Sequence, residues 1–397
     1  MKIVHLCLGC FFPDNYSYQE NMLPKFHKQL GYEVEVIASL VTFDQDGKAA
    51  YLSKGSVYQN EYDIMVTRLN YKKPEKVYRK LKRYIGTYDA LEKAKPDILF
   101  IHGCQFMDMD IVAEYVKRHS GIAVYVDNHA DFSNSGTNWL SKNLLHKVLW
   151  RHEAHRIEPY TQKFYGVLPA RVDWLVNMYK LPKGKCELLV MGADDDKVEA
   201  ARNPEIRKNI RAQYGIEDED FLIMTGGKID PWKTQTLLLM EAVKKIDSDR
   251  VKLIVFGSVT PELKERVTAL ADGKKVQYIG WVRSEDSYNY FAAADLVVFP
   301  GRHSVFWEQV AGMGIPMLCK YWDGTTHVEL GGNVELLTHD SVEELQQKIE
   351  ALIANPAQYQ KMKQVAERQG KEAFSYKQIA QRAIAQDERN GGRKEER

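Results

Sequence analysis

Short apolar runs alternate along the chain with stretches whose apolar residues recur at helical spacing. The apolar runs are nearly continuous, as in Ile-Leu-Phe-Ile at 98–101 and Leu-Ile-Val-Phe at 253–256. Continuous apolar strands between amphipathic helices are typical of parallel sheets that are covered by helices on both faces. The pattern therefore predicts an α/β protein.

Two successive series of these strand–helix units predict two doubly wound domains. The periodicity breaks at Met191-Gly192-Ala193-Asp194, which separates a first domain, 1–193, from a second, 194–374. Residues 390–397 are polar and predict a flexible tail.

Charge and cysteine content exclude several classes of protein. Lys and Arg number 55 against 54 Asp and Glu, a net charge of +1 that argues against a nucleic-acid binder. The five cysteines are sparse and odd in number, which indicates reduced thiols. No apolar run is long enough to span a membrane, and the first residues lead into a strand without a signal-peptide cleavage region. We therefore expect a cytoplasmic protein.

Basic residues cluster twice in the first domain. The clusters comprise Lys72, Lys73, Lys76, Arg79, Lys80, Lys82 and Arg83, and Lys142, Lys147, Arg151 and Arg156. Solvated helix faces are one interpretation. The other is attraction to an anionic membrane surface or a phosphate-bearing acceptor.

Candidate chemistry follows the strands, because ligands of open α/β sheets bind at strand carboxyl ends. After the strand at 221–225, Gly226 and Gly227 allow a ligand to approach the backbone closely. Lys228 follows them, and Lys233 is expected to open the next helix, where a cation opposes the helix dipole. A bound anion would explain that placement, and a solvated surface turn explains it equally well.

A second segment follows the strand at 296–299. Gly301 permits a tight turn, and Ser304 is a candidate N-cap of the next helix. The N-terminus of that helix would be a second anion site. Glu308 lies one turn further, where its carboxylate either accepts hydrogen bonds from a vicinal diol such as ribose or satisfies the helix dipole.

Residues from about 190 to 320 resemble the donor-binding domain of family-4 retaining glycosyltransferases of GT-B fold. The matching positions, in order, are Gly192 and Asp194, Lys228 and Lys233 at the spacing of the family's Arg-x4-Lys pair, Gly280, Ala294-Asp295, Phe299-Pro300, and Glu308, Gly314 and Pro316 of its Glu-Ala-Met-Ala-x-Gly-x-Pro. The family's Glu-x7-Glu motif is incomplete, because Pro300 stands eight positions before Glu308. That departure leaves the identity of the donor sugar open.

The first domain resembles the family less sharply. Tyr18-Gln19-Glu20-Asn21 is similar to the opening of a subgroup that builds bacterial surface polysaccharides. Asp127-Asn128-His129 stands where the family has a histidine that faces the donor sugar. The resemblance also implies a C-terminal helix, at about 375–389, that packs back on the first domain.

The implied architecture is two Rossmann-like domains facing across a cleft. The implied reaction moves a sugar, with retention, from a nucleotide sugar of UDP or GDP type to a glycan or lipid-linked acceptor hydroxyl. It would serve capsule, exopolysaccharide or lipopolysaccharide synthesis, in the cytoplasm or at the cytoplasmic face of the membrane, with peripheral membrane contact through the first domain. No cofactor and no metal ion is implied, since lysines would stabilise the leaving diphosphate.

The resemblance also assigns roles to residues. The catalytic set is His129, Lys228, Lys233 and Glu308, with Glu308 on the ribose. The donor-binding set is Gly226, Gly227, His303, Ser304, Val305 and Phe306, with Trp281 and Val282 at the base. The loop toward donor or acceptor comprises Tyr18, Gln19, Glu20 and Asp127, the last orienting His129.

Two alternatives stay open: a sugar-nucleotide epimerase of the same architecture, and a non-catalytic sugar-nucleotide-binding protein.

Metal chemistry has little support in the motifs. His152-Glu153-Ala154-His155 is not H-E-x-x-H, and the D-x-D patterns at 108–110 and 194–196 are not expected to bind metal. No G-x-G-x-x-G follows the first strand, which disfavours a dinucleotide oxidoreductase.

Overall fold

The computed structural model describes residues 1–43, 49–131, 134–135 and 138–385. They form two compact units. Unit 1 comprises Met1–Val190 together with the described residues from Lys377 onward, and unit 2 comprises Met191–Tyr376. Each unit has its own main sheet, which confirms the predicted α/β class with two doubly wound domains. The expected tail at 390–397 lies outside the described residues.

The strands, in chain order, are β1 (Lys2–Cys7), β2 (Glu33–Ala38), β3 (Val41–Phe43), β4 (Ala49–Tyr51), β5 (Val57–Gln59), β6 (Met65–Arg68), β7 (Ile98–His102), β8 (Ala123–Asn128), β9 (Thr161–Gly166), β10 (Cys186–Leu188), β11 (Phe221–Gly226), β12 (Val251–Phe256), β13 (Val276–Tyr278), β14 (Leu296–Phe299), β15 (Met317–Lys320) and β16 (Val334–Leu337).

The α-helices are α1 (Gln19–Gln29), α2 (Glu75–Leu81), α3 (Thr87–Ala94), α4 (Met109–Arg118), α5 (Arg151–Ile157), α6 (Pro169–Asn177), α7 (Asp195–Ala201), α8 (Pro204–Gln213), α9 (Gln235–Lys245), α10 (Pro261–Leu270), α11 (Ser287–Ala293), α12 (Phe306–Met313), α13 (Val342–Ala354), α14 (Pro356–Val365), α15 (Lys371–Ala373) and α16 (Tyr376–Ala383). Ser141–Trp150 and Ala366–Gly370 are π-helical, and Glu158–Tyr160 and Lys183–Lys185 are 3₁₀ turns. Among the described helices, none combines the length and the hydropathy that a bilayer crossing requires.

The sheet of unit 1 has the order β10-β9-β8-β7-β1-β2-β6-β5 and is parallel except for the β5–β6 pair. Side chains alternate between its two buried faces. One face carries apolar residues such as Val4, Leu6 and Ile101, which belong to one large core cluster. The other face carries His5 and, from the neighbouring strand β7, His102. The register therefore brings polar side chains together inside the unit.

The sheet of unit 2 has the order β13-β12-β11-β14-β15-β16 and is parallel throughout. From β11 the chain builds outward through β12 and β13, and then returns to place β14 on the other side of β11. The carboxyl ends of β11 and β14 thus flank the point where the strand order reverses, the usual ligand position in such sheets. Gly226 and Phe299 end these two strands.

Candidate functional site

Close backbone packing shapes the turn after β11 in unit 2. A Cβ atom on Gly226 would lie 2.3 Å from the ring of Phe256, and a Cβ on Gly257 would lie 1.9 Å from the carbonyl oxygen of Gly227. Gly227 also has a φ of +132°, which L side chains rarely adopt. Packing against the end of β12 therefore requires these glycines, whether or not a ligand approaches.

Three cations surround this turn. Lys228 is exposed, with its Nζ 3.7 Å from Asp230 Oδ2. Lys233 precedes α9, which begins at Gln235, so the expectation that it opens the helix was wrong. Burial lowers the pKa of Lys233; Asp230 opposes this, and the charges of Arg302 and Lys228 lower the pKa further. Such like-charge crowding is relieved when an anion binds.

Arg302 is a member of this cluster that sequence reasoning missed. It is exposed, and its guanidinium lies 5.3 Å from the ring centre of Trp232. The sequence could have indicated Arg302, because this residue directly follows Gly301 in the turn after the strand at 296–299.

Helix α12 begins differently from the prediction. Val305 occupies the N-cap position, and no side chain caps the helix, so the expected cap by Ser304 was wrong. Ser304 instead contributes its carbonyl oxygen, which accepts a hydrogen bond of 2.9 Å from the amide of Trp307. The Phe306 ring packs 5.3 Å from that of Phe291, which anchors the first turn of the helix.

The two residues proposed for the base follow β13 and Gly280, whose φ is +79°. Trp281 is 69% exposed and Val282 is partly buried. A large aromatic side chain this exposed is free to stack on a planar ligand.

Glu308 is fully buried between two histidines. Its Oε1 lies 2.7 Å from His303 Nε2 and 2.8 Å from His327 Nε2, so both rings donate to one oxygen. Burial would raise the pKa of Glu308, but the two imidazoles lower it to about 2. Oε2 has no hydrogen-bond partner among the described residues. His327 was missed, because it lies 19 residues further along the chain in no recognisable motif.

His303, Glu308 and His327 are also the described residues that could hold a metal ion, with ligand atoms within 4.8 Å of one another. Two imidazoles and a carboxylate are ligands that Zn²⁺ accepts. However, the separations of 2.7 and 2.8 Å are hydrogen-bond lengths. In the present geometry Glu308 Oε1 accepts from both rings, while Glu308 Oε2 and His327 Nδ1 have no partner among the described residues.

The register of the family pattern needs one correction. Counted back from Gly314 and Pro316, the glutamate of Glu-Ala-Met-Ala-x-Gly-x-Pro falls on Gln309 and not on Glu308. Gln309 is 2% exposed, and its Oε1 has no partner in the described part of the chain. Glu308 and Gln309 therefore each offer one unpaired oxygen at this end of α12.

In unit 1, His129 follows β8 and is held between two carboxylates. Its Nε2 lies 3.5 Å from Asp127 Oδ2 and 3.8 Å from Glu20 Oε1, too far for a good hydrogen bond to either. Burial lowers the pKa of His129, but Glu20 and Asp127 outweigh it and raise the pKa overall. The structure thus brings together three of the residues predicted for this region.

The remaining residues of that set lie at the start of α1. Tyr18 is the N-cap residue, and its ring stacks 5.5 Å from that of Tyr16. Gln19 is 1% exposed, and both polar atoms of its amide lack a partner among the described residues. Gln19 and Glu20 belong to the helix, not to a loop.

A chain of buried histidines leads away from Asp127. Hydrogen bonds of 2.7–3.0 Å link Asp127 Oδ2 to His102 Nδ1, His102 Nε2 to His5 Nδ1, and His5 Nε2 to His27 Nδ1. The chain ends where His27 Nε2 donates to the carbonyl oxygen of Ala380 in α16, at 2.9 Å. None of these three histidines was among the site residues that the sequence predicted.

The hydrogen-bond pattern assigns the protons of this chain. The carbonyl of Ala380 only accepts, so His27 Nε2 carries a proton. Burial lowers the pKa of His27 to about 4 and that of His5 well below its usual value, so both rings are neutral and accept through their other nitrogen. His102 must then donate from both nitrogens, to His5 and to Asp127. His102 is therefore an imidazolium paired with an ionised Asp127.

Stability is expected to fall on both sides of neutral pH. His27, with a native pKa of about 4 against 6.5 in the unfolded chain, withdraws stability as pH falls from 6.5 to 4, because the unfolded state binds the proton first. For His102, Asp127 outweighs burial and raises the pKa to about 9, so its contribution is full below pH 6.5 and is lost as pH rises to 9. Each contribution is on the order of 3 kcal/mol. Urea unfolding across this range measures both limbs, and a flat profile would contradict the proton assignment.

The two D-x-D patterns have structural roles. Asp108 Oδ2 accepts a hydrogen bond from the amide of Tyr84 at 3.1 Å and another from the hydroxyl of Thr87. Asp194 caps α7 by accepting from the amide of Asp196 at 3.2 Å.

Comparison with known families gives a match that lies within unit 2. Residues 206–369 match the family model described as glycosyl transferases group 1. An uncharacterised glycosyltransferase of Methanocaldococcus jannaschii is 23% identical over 168 residues, 41% of this chain and 41% of that protein. Mannosylfructose-phosphate synthase of Agrobacterium fabrum is 27% identical over 149 residues, 35% of this chain and 32% of that protein. The matches thus span about a third to two fifths of these relatives.

Solved structures resemble the chain over almost its whole length. The Anabaena HepE protein in complex with UDP has a TM-score of 0.67 and 16% identity, covering 96% of this chain and 98% of that one. UDP-GlcNAc 2-epimerase of Neisseria meningitidis, bound to UDP-GlcNAc, has a TM-score of 0.62 and 15% identity, covering 97% and 98%. With two Rossmann-like units, these likenesses establish the GT-B fold.

Proposed function

We propose that the protein is a retaining glycosyltransferase that moves a sugar from a nucleotide sugar of UDP or GDP type to an acceptor hydroxyl. The acceptor is a glycan or a lipid-linked sugar, and the reaction belongs to the synthesis of bacterial surface polysaccharides in the cytoplasm. The match of residues 206–369 to group 1 glycosyl transferases supports the reaction class.

The observation that carries the proposal is the cation cluster at the switch point of the unit 2 sheet. Lys228, Lys233 and Arg302 concentrate positive charge there, and the lowered pKa of Lys233 reflects burial and mutual repulsion. A diphosphate leaving group gains negative charge as the glycosidic bond breaks. Fixed positive charge at that position stabilises the transition state more than the ground state.

The test begins with a thermal-shift panel of UDP-, GDP- and ADP-sugars, since a ligand that binds the native state raises the melting temperature. The stabilising sugar nucleotide is then supplied in radiolabelled form with and without candidate acceptors. Transfer of label to an acceptor supports the proposal. Isomerisation of the sugar without an acceptor would favour an epimerase, a candidate retained because a solved epimerase shares the fold. Saturable binding with neither outcome would indicate a non-catalytic binding protein.

Transfer is expected to survive chelation. The cluster of Lys228, Lys233 and Arg302 supplies the positive charge that a divalent ion would otherwise bring to the diphosphate. Initial rates with and without EDTA should agree. Loss of activity in EDTA, restored by Mn²⁺ or Mg²⁺, would contradict this prediction and direct attention to His303, Glu308 and His327, whose ligand atoms lie close enough to hold an ion.

A further inference from the structure

Three side chains that can bind a metal ion converge in unit 2 from three separate segments. His303 lies in the turn after β14, Glu308 in the first turn of α12, and His327 in the loop between β15 and β16. One ligand atom of each residue lies within 4.8 Å of those of the other two. Because β14 and β15 are parallel neighbours, the segments that follow them start at the same edge of the sheet. The fold therefore assembles a compact set of ligands from distant parts of the sequence.

Packing fixes the orientation of this set. The His303 ring meets the ring of Trp307 edge-on, with the ring centres 5.2 Å apart. The His327 ring meets that of Phe374 in the same way, at 6.1 Å. The side chains of Glu308 and His327 are 0% and 2% exposed, whereas that of His303 is 13% exposed. The ligands are thus held in place, and His303 connects them to solvent.

The buried carboxylate of Glu308 has no permanently charged partner. Among the described residues, its ion-pair contacts are those with His303 and His327. A buried carboxylate is costly unless it is paired or coordinates a metal ion. Its Oε2 is buried and has no hydrogen-bond partner in the described part of the chain. A bound dication would supply both the missing charge and the missing contact.

Glu308 is also free of the role that the resemblance assigns to it. Counted back from Gly314 and Pro316, the ribose position of the family pattern falls on Gln309. Successive residues of an α-helix point about 100° apart, so Gln309 and Glu308 face different directions. The cluster of Glu308 with the two histidines can therefore serve a purpose separate from the donor.

We propose that His303, Glu308 and His327 bind one transition-metal dication of the Zn²⁺ type, through Nε2 of each ring and the carboxylate. Zn²⁺ uses sets of two imidazoles and one carboxylate, whereas Mg²⁺ and Ca²⁺ prefer oxygen ligands. In the present geometry, N–H groups at both Nε2 atoms donate to Oε1 at 2.7 and 2.8 Å. The ion takes the place of these protons, and each neutral ring keeps its proton on Nδ1. For His327 this breaks no hydrogen bond among the described residues, because its Nδ1 has none.

The movement that binding requires is small. Metal–ligand bonds of about 2.0 Å at tetrahedral angles place the ligand atoms about 3.3 Å apart, so each ring retreats from the carboxylate by about 0.5 Å. The ion would clip together the turn after β14, α12 and the loop before β16. This inference is independent of the proposed sugar transfer. Hydrogen bonds link the same residues once the ion is removed, so chelation should lower the melting temperature without stopping transfer.

The experiment is a Zn²⁺ titration of the full chain, stripped with EDTA and dialysed, in competition with a chromophoric zinc chelator. The wild type should bind one Zn²⁺ per chain and melt at a higher temperature with it. His303→Gln and His327→Gln should each weaken binding at least about tenfold, since each removes a ligand and keeps an N–H donor for Oε1. His339→Gln, at a side chain 78% exposed in the same unit, is the matched control and should bind as the wild type does. An excess of Mg²⁺ should not displace the Zn²⁺.

Co²⁺ provides a second readout, since its visible absorption reports the coordination geometry. The wild type should develop the intense bands of a four-coordinate site that saturate at one equivalent, and both ligand variants should lack them. Circular dichroism establishes that the stripped variants are folded; if His327→Gln is not, the more exposed His303→Gln decides. Failure of the wild type to bind Zn²⁺ would overturn the proposal. So would equal affinities of the wild type and His303→Gln, or displacement by Mg²⁺, which would indicate an adventitious ion only.

Discussion

Replacing Asp127 by asparagine is expected to lower the free energy of unfolding by about 3–5 kcal/mol, because it leaves a buried cation without its counter-charge. Asp127 and His102 are both fully buried, and the carboxylate accepts a 2.7 Å hydrogen bond from the imidazolium. Asparagine keeps the shape of the side chain and one acceptor oxygen, so the decrease in the free energy of unfolding measures the effect of removing the negative charge. Urea unfolding at neutral pH measures it.

Two comparisons make this measurement specific. Asp173→Asn, at an exposed position of α6, should change stability by less than about 0.5 kcal/mol. Combining Asp127→Asn with His102→Gln should recover part of the loss, since removing both charges leaves no uncompensated ion. A single-variant loss below about 1 kcal/mol, or strictly additive effects, would show that His102 is neutral in the folded protein.

Lys233→Ala is expected to reduce kcat about 30- to 1,000-fold, equivalent to about 2–4 kcal/mol of transition-state stabilisation, as when one oxyanion donor is removed. Lys233 is the half-buried member of the cation cluster, so its charge is screened less than that of exposed Lys228. The turnover rate at saturating donor is the relevant measurement.

Lys264→Ala is the matched control, since Lys264 is an exposed lysine on α10 of the same unit. It should leave kcat unchanged. Lys233→Arg should retain part of the rate because it keeps the charge. A near-wild-type kcat for Lys233→Ala would remove Lys233 from the catalytic set.

Where burial alone determines the structure of a segment, the sequence was sufficient to predict that segment. Strands β7 and β12 each have a neighbouring strand on both sides, and their unbroken apolar runs predict them directly. The strands β3, β4 and β5 have three residues each and contain no fully buried residue, so no buried apolar run marks them. Pairing with neighbours, which the sequence does not display, determines these elements.

The segment 75–93 shows how tertiary contacts override periodicity. Its apolar spacing predicts one helix, yet the structure has α2 and α3, with Lys82 at a φ of +53° and Gly86 at +81° between them. Tyr84 in the break is 1% exposed, and its hydroxyl donates to the carbonyl of Leu8 at 2.7 Å. Burial of this one ring requires the chain to leave the helical path.

The residues of the candidate site also fall into those that the sequence could identify and those that it could not. Lys228 and Lys233 could be selected because glycines and a strand end mark their turn. His5, His27 and His102 could not, since they are far apart in sequence and meet only through the parallel register of β1 and β7 and the placement of α1. The sequence around a histidine in an apolar strand does not show whether the neighbouring strand carries its hydrogen-bond partner.

The last link of the histidine chain bears on how the protein is made. The carbonyl that accepts from His27 belongs to Ala380, 353 residues later, and all of unit 2 is encoded between them. Strands β1–β10 therefore emerge from the ribosome long before α16 is synthesised. Unit 1 stays incomplete until the whole of unit 2 has been translated. A chain that ended before Ala380 would leave His27 Nε2 without its acceptor, and Asp127 alone would then orient the buried imidazoles. In the order of translation, α16 is therefore the last element of unit 1 to be made.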